Sequence, residues 1–171
     1  VAPHLAAAEA GVRLTPEDLV DWYRQATAGA EFAVVEGAGG WRVPLHPDGF
    51  LSDLPERLGL GVVLVVGLRL GCLNHARLTL EALSNGGRCP FVGWVGSHVD
   101  TGFDRLDANV ATLERLLGRP PHAIIPPLAE PTAGTAAQWL SGVYALPARP
   151  AAARFADLCP RVGADGQFPD P

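Results

Sequence analysis

Short apolar runs alternate with amphipathic stretches along the first three quarters of this chain. Runs that are mainly apolar and bounded by glycine, proline or polar residues predict strands buried on both faces of a sheet. Such runs lie at residues 32–36, 62–66, 91–95 and 122–125. Apolar residues spaced three and four apart predict helices with one buried face. This spacing occurs at residues 16–29, 48–58, 74–84 and 107–117.

Residues at the ends of the predicted helices support these boundaries. Thr15 is suited to cap a helix that begins at Pro16, and Asp107 is a candidate cap for the last helix. Asn85 followed by Gly86 is typical of a helix that ends in the left-handed conformation. Strands that alternate with helices predict βαβ units. We therefore expect an α/β fold with a mostly parallel sheet and flanking helices.

The length and composition of the chain fit one domain. Its 171 residues are 48% hydrophobic and 18% charged, which is enough apolar material for a sizeable core. We predict a single α/β domain over residues 1–146. Proline, alanine and charged residues dominate the rest of the chain, so residues 147–171 are predicted to form a loosely ordered tail.

Charge and cysteine content exclude several classes of partner. The net charge is −5 and most basic residues are scattered singly, which argues against nucleic-acid binding. The longest apolar run, residues 62–66, is too short to cross a bilayer, so we expect no membrane partner. Three cysteines without metal-binding spacing favour a reduced, cytoplasmic protein over a disulfide scaffold.

The first candidate ligand site is a carboxylate beside glycines. Glu36 ends the apolar run 32–36, and Gly37, Gly39 and Gly40 follow it directly. Ligands of α/β proteins bind at the carboxyl ends of parallel strands, and glycines let the backbone approach a bulky group. The pattern suggests a metal ion held next to phosphate. From these residues alone, a tight turn with a solvated glutamate is an even alternative.

A second candidate site lies where the strand 62–66 leads into a helix. The first N–H groups of a helix bind anions, so Gly71 and Cys72 are candidate backbone donors to a carboxylate or phosphate. Asn74 is a candidate side-chain donor. Capping its own helix is the more frequent use of asparagine at such a position.

Two further strand ends carry candidate base-binding residues. Ser97 and His98 follow the strand 91–95 and are able to hydrogen-bond the edge of a purine. Pro126 and Pro127 follow the last strand, and the carbonyl groups of this rigid loop are candidate acceptors for an adenine amino group. An ordinary strand–loop junction is the alternative at both places.

Several well-known catalytic motifs are absent from the sequence. It contains no P-loop of the form GxxxxGK[ST], no nucleophile elbow with Ser, His and Asp in order, and no HExxH. We therefore assign no catalytic residue. The residues alone indicate an α/β domain with a ligand edge formed by a carboxylate and glycines.

Six segments of the chain resemble dethiobiotin synthetases. They are residues 2–4, 35–41 (VEGAGGW), 43–45, 63–76 (VLVVGLRLGCLNHA), 93–95 and 125–129. The two segments given in letters are highly specific together, in this order and at this spacing. The resemblance extends from the first residues to about Glu130.

The resemblance implies a P-loop NTPase-like α/β domain that forms a homodimer. The implied reaction joins CO2, or bicarbonate, to 7,8-diaminopelargonate with ATP and Mg2+ and gives dethiobiotin. Glu36 matches the metal ligand. The implied nucleotide-binding residues are Glu36, Gly37, Ala38, Gly39, Ser97, His98, Pro126, Pro127 and Leu128. The implied substrate-binding residues are Pro3, His4, Gly71, Cys72, Leu73 and Asn74.

The chain departs from the family in two respects. The family often has Asn-Asp where Ser97 and His98 stand, which leaves the base preference open. The family's P-loop, with its strand, falls upstream of Val1, and methionine is absent, so we expect a fragment that is inactive and poorly soluble alone. Two alternatives are a P-loop amide-forming ligase of the cobyrinic-acid amidase type and a degenerate, non-catalytic dimer partner.

Overall fold

The computed structural model describes residues 2–37, 39–46, 49–86, 88–140 and 143. The predicted tail, residues 147–171, lies outside this set. The chain divides into two compact units, Val1–Leu60 and Gly61–Pro171. In the described parts of both units, no helix combines the length and apolar character that a membrane span requires.

The first unit contains helices and one pair of short strands. Its helices are α1 (Pro3–Glu9), α2 (Pro16–Ala26) and α3 (Asp53–Leu58). Its strands, β1 (Pro44–His46) and β2 (Gly49–Phe50), are antiparallel. Helix α2 packs against α3, where Arg57 forms a 2.7 Å ion pair with Glu17.

Helix α2 begins where its sequence predicts. The hydroxyl oxygen of Thr15 accepts from the N–H of Asp18 at 3.2 Å, and the Asp18 carboxylate accepts from the N–H of Thr15 at 3.0 Å. This reciprocal pair is a capping box, and Pro16 occupies the first helical position. The predicted cap and first residue of this helix are therefore confirmed.

The second unit is a parallel α/β layer. Its strands are β3 (Val62–Gly67), β4 (Phe91–Ser97) and β5 (Ala123–Ile125), and they pair in this order, all parallel. Helix α4 (Cys72–Gly86) connects β3 to β4, helix α5 (Leu106–Leu117) connects β4 to β5, and α6 (Ala133–Ala137) follows. These are two βαβ units, so the predicted α/β class with a parallel sheet is confirmed.

The core of the second unit surrounds the central strand. Strand β4 is buried from Phe91 to Gly96, because it has a strand on each side and helices α4 and α5 pack on each other beside the sheet. Among the described residues of this unit, the largest fully buried side chains are Leu68, Leu80, Trp94, Leu113 and Leu117, followed by Cys72. The buried indole N–H of Trp94 donates to the carbonyl of Arg119 at 2.9 Å, so this polar atom is satisfied.

The predicted strand at residues 32–36 is wrong. The segment has no regular structure, and the side chains of Phe32 and Val34 are 56% and 82% exposed. Its apolar sequence favours a strand, but a strand requires a neighbour that pairs with its backbone. In the described part of the first unit, the only such pairing joins β1 and β2.

The starts of three helices also differ from prediction. Helix α3 begins at Asp53 and not at residue 48, since Gly49 and Phe50 pair with β1. Helix α4 begins at Cys72, which places Asn74 inside the first turn and not at the cap. Arg105, and not Asp107, precedes α5 as its cap residue, and its side chain makes no capping bond.

Candidate functional site

A cavity of about 330 Å³ opens where strands β4 and β5 end. Its lining residues come from the end of β4 and from the loop after β5: Ser97, His98, Val99, Ile125, Pro126, Pro127, Leu128 and Pro131. The structure therefore brings together two pairs of residues that the sequence singled out separately. It adds Val99, Ile125 and Pro131, which the sequence analysis did not name. Their position near the ends of predicted strands is the sequence feature by which they could have been found.

Backbone hydrogen bonds hold the floor of this cavity. The N–H of His98 donates to the carbonyl of Ile125 at 2.9 Å, which extends the pairing of β4 and β5 by one residue. The carbonyl of Ser97 accepts from the N–H of Leu68 at 2.7 Å. The positions of Ser97 and His98 are thus fixed by the sheet on one side and by the loop after β3 on the other.

The side chains of Ser97 and His98 are the polar groups of an otherwise apolar lining. The Nε2 atom of His98 is buried and has no hydrogen-bond partner among the described residues. Leaving such an atom unpaired costs about 1–3 kcal/mol. An apolar pocket with a few convergent polar groups is typical of a small-molecule site.

The start of helix α4 presents unpaired backbone donors. The N–H groups of Gly71, Leu73 and Asn74 have no acceptor within the described part of the chain. They lie at the positive end of a 15-residue helix, where an anion is favoured. Cys72 differs from its prediction, because its N–H donates to the carbonyl of Arg69 at 3.0 Å and its side chain is only 2% exposed.

The glycine-rich segment belongs to the first unit. Glu36 is exposed, and its carboxylate has no ion pair or hydrogen bond to any described residue. Gly39 has a φ of +88°, a conformation that glycine adopts without strain. Ala38 lies outside the described residues.

Arg42 holds the chain just after this segment. Its guanidinium donates to the hydroxyl of Ser52 at 3.3 Å, lies 3.9 Å from the Glu56 carboxylate, and covers the ring of Phe50 at 5.4 Å. The N–H of Leu51 donates to the carbonyl of Val43 at 2.8 Å. These contacts fix one end of the glycine-rich segment on β2 and α3.

Metal-binding groups are sparse in the described structure. Over residues 2–37, 39–46, 49–86, 88–140 and 143, no three His, Cys, Asp or Glu side chains form a group that could hold a metal ion. A Mg2+ ion that accompanies a nucleotide requires only one or two carboxylates, because phosphate and water supply the other ligands. The exposed, unpaired carboxylate of Glu36 fits that requirement.

Pro3 and His4 are part of helix α1. The Nδ1 atom of His4 lies 3.2 Å from the carbonyl of Pro44, which connects α1 to β1. Both residues therefore belong to the packing of the first unit.

A family model described as an AAA domain matches residues 1–135 of the chain. The chain belongs to this family. Membership agrees with the parallel α/β layer of the second unit, and the match extends over both units.

Three bacterial proteins named ATP-dependent dethiobiotin synthetase BioD are similar to the chain. The one from Pseudomonas paraeruginosa is 52% identical over 138 residues, which are 80% of this chain and 59% of the relative. The one from Ralstonia nicotianae is 50% identical over 137 residues, which are 80% of this chain and 59% of the relative. The one from Cellvibrio japonicus is 44% identical over 140 residues, which are 82% of this chain and 61% of the relative.

The chain therefore spans about three fifths of the length of these relatives. The identity extends along four fifths of the chain, so its resemblance to dethiobiotin synthetases is confirmed.

Proposed function

We propose that this chain takes part in ATP-dependent synthesis of dethiobiotin from 7,8-diaminopelargonate and CO2 or bicarbonate. The observation that carries the proposal is the cavity at the ends of β4 and β5, which unites the residues predicted to bind a base. The relatives at 44–52% identity are named ATP-dependent dethiobiotin synthetases, which supports this choice of reaction.

The cavity is assigned to the nucleobase of ATP. Its volume of about 330 Å³ suits a planar ring system, and sites for small molecules begin at roughly 300 Å³. The rigid faces of Pro126 and Pro127 supply apolar contact, and Leu128 adds to it. Ser97 and His98 supply the hydrogen bonds that orient the base.

The start of α4 is assigned to the carboxylate of 7,8-diaminopelargonate. The unpaired N–H groups of Gly71, Leu73 and Asn74 and the helix dipole together favour a negative group. Leu70, beside them, is 89% exposed, and Leu78 on the same helix is 55% exposed. Burial of these side chains against a second copy of the chain would remove apolar surface from water, which supports a homodimer.

Glu36 is assigned to Mg2+ bound with ATP. The ion would neutralise phosphate charge, and phosphoryl transfer depends on positioning and charge neutralisation. All 13 Lys+Arg residues of the sequence are arginines, so no lysine of this chain can contact the phosphates. The proposal therefore assigns binding of base, carboxylate and metal to this chain, and it assigns none of its residues to the reacting phosphate. A cytoplasmic location stays a prediction.

Calorimetric titration of the full chain tests the proposal. We expect 7,8-diaminopelargonate and ADP with Mg2+ to bind, each at its own site. Replacement of Glu36 by Gln removes the metal ligand and should weaken ADP binding in Mg2+ by about tenfold, while the diamine and the thermal midpoint are unaffected.

Glu31→Gln is the matched control for this experiment. Glu31 is exposed in the same part of the chain, and its replacement removes the same charge. We expect it to leave both affinities unchanged. If neither ligand bound to the unmodified chain, the proposal would be wrong and a non-catalytic dimer partner would be favoured.

A further inference from the structure

A hydrogen bond between Arg42 and Ser52 joins two parts of the first unit. The Arg42 guanidinium donates to the Ser52 hydroxyl at 3.3 Å, and Ser52 is only 2% exposed. Ser52 is the cap residue of α3, a position where a serine hydroxyl usually accepts from an N–H of its own helix. It makes no capping bond here, so its buried hydroxyl serves Arg42 and not the helix.

Two further contacts hold the Arg42 guanidinium in place. It lies 3.9 Å from the Glu56 carboxylate and 5.4 Å from the centre of the Phe50 ring. The Oε1 atom of Glu56 is buried and makes no hydrogen bond to a described residue, so the nearby positive charge of Arg42 stabilises it. A planar guanidinium is suited to such a set of contacts, since it pairs at its edge and stacks on its face.

The residues beside this hydrogen bond support the glycine-rich segment. Val43 follows the arginine and Leu51 precedes the serine, and the N–H of Leu51 donates to the carbonyl of Val43 at 2.8 Å. A Cβ atom at Gly39 would lie 3.0 Å from Val43 Cγ2, and one at Gly37 would lie 3.0 Å from Leu51 Cδ2. The two glycines therefore lie directly on these side chains. Glu36 immediately precedes Gly37, so its backbone is held by the same support.

The side chain of Glu36 has no such support of its own. It is exposed and makes no ion pair or hydrogen bond to a described residue. A carboxylate on a mobile backbone must be ordered when it binds a cation, and this ordering costs conformational entropy. A backbone that the fold has already ordered avoids that cost. The affinity of Glu36 for a cation should therefore depend on how firmly the glycines are held.

We propose that Arg42 is a positioning residue, which fixes Glu36 for Mg2+ through its hydrogen bond to Ser52. The inference rests on the proposed function, because that function assigns Mg2+ to Glu36. Arg42 contacts neither the ion nor the nucleotide in this arrangement and acts only through the segment that it holds. Its loss should weaken binding only where Glu36 takes part.

The coupling between Mg2+ and ADP measures this effect. Calorimetric titration of the full chain with ADP in EDTA and in Mg2+ gives two dissociation constants, and their ratio is the coupling. Glu36→Gln should lower the coupling by about tenfold. Arg42→Ala should lower it by at least about threefold and leave binding in EDTA unchanged. Both constants come from the same folded variant, so a loss of stability alone does not change the ratio.

The double variant distinguishes an indirect role of Arg42 from a direct one. If Arg42 acts through Glu36, Arg42→Ala should change the coupling of the Glu36→Gln chain by less than about twofold. A direct contact with phosphate would instead weaken ADP binding in EDTA and add to the effect of Glu36→Gln, and that result would overturn the inference. Arg42→Lys keeps a cation that can donate to Ser52 and should restore most of the coupling.

Ser52→Ala is a second variant that does not remove a charge. It removes the acceptor for Arg42 and should lower the coupling by about twofold or more. The thermal midpoint of each variant, followed by circular dichroism, verifies that it is folded at the temperature of the titration. The result at Ser52 therefore decides the inference even if Arg42→Ala does not fold.

Arg57→Ala is the matched control. Arg57 belongs to the same unit, and its ion pair with Glu17 is exposed, so the same charge is lost away from the glycine-rich segment. We expect the coupling to stay unchanged. Unchanged coupling in Arg42→Ala and Ser52→Ala, together with a loss in Glu36→Gln, would overturn the inference and leave the proposed function intact. Unchanged coupling in Glu36→Gln would overturn the assignment of Mg2+ to Glu36, and this inference with it.

Discussion

At the scale of single residues, Gly93 helps to position one wall of the cavity although it does not line the cavity itself. Its φ is +153°, and a Cβ atom there would overlap the ring of His122. Because that space is free, the carbonyl of Val92 lies 2.8 Å from Arg119 Nη1 and 3.2 Å from His122 Nε2. The chain that leads into β5 is therefore attached to the central strand just before it forms the cavity.

We expect Gly93→Ala to lower the free energy of unfolding by about 2–4 kcal/mol, because it adds both overlap and backbone strain. Urea denaturation followed by circular dichroism measures this value. Gly134→Ala in α6 is the control, since a Cβ atom there meets nothing closer than 3.9 Å. A loss below about 0.5 kcal/mol would contradict the account.

The residues of the candidate site were only partly predictable. Ser97 and His98 could be found because polar residues at the end of a parallel strand indicate a ligand edge. The unpaired Nε2 atom of His98 could not, since hydrogen-bond partners depend on which loops meet in three dimensions. The same limit applies to Cys72. Its N–H donates to the carbonyl of Arg69 in a turn that no local sequence pattern predicted.

At the scale of elements, the start of helix α2 shows local sequence dictating structure. Thr15 and Asp18 satisfy each other's backbone groups within four residues, so this boundary needs no tertiary contact. Thr15→Ala removes the acceptor for the N–H of Asp18 and should cost about 0.5–2 kcal/mol of stability.

Thermal and urea denaturation check this value. Thr112→Ala provides the comparison, because the Thr112 hydroxyl donates inside α5 to the carbonyl of Ala108 and caps no helix end. We expect that variant to stay within about 0.5 kcal/mol of the unmodified chain. Equal losses in the two variants would show that the cap has no special contribution.

Elements of the second unit were the more predictable ones. The strands at residues 62–66, 91–95 and 122–125 are confirmed, because each pairs with a neighbour whose own sequence also favours a strand. The equally apolar run at residues 32–36 forms no strand, because strand formation also requires a neighbouring strand that pairs with the backbone of the run. Helix α1 and the pair β1–β2 were missed, because short elements carry too few residues to show a period.

At the scale of the whole molecule, buried apolar side chains are unevenly distributed. Among the described residues, the first unit buries Leu45 and Leu54, whereas the large core side chains from Leu68 to Leu117 belong to the second unit. Burial of a large apolar side chain contributes about 1.5–3 kcal/mol. The second unit should therefore open less often than the first.

Hydrogen exchange followed by mass spectrometry measures this difference. Amides of β4 and of the facing turns of α4 and α5 should exchange slowest, and those of α1, β1 and β2 should exchange at least about a hundredfold faster. Leu113→Ala should accelerate exchange throughout the second unit, because it leaves a cavity in its core. Uniform exchange along the chain would contradict the uneven core.

The hydrogen bond from His98 to Ile125 has a consequence for the entropy of binding. It joins the two sides of the cavity before any ligand arrives, so association does not have to order these residues. A ligand that enters a preorganised cleft loses its own freedom and little of the protein's. Its association rate should then be set by diffusion and orientation, without a slow conformational step.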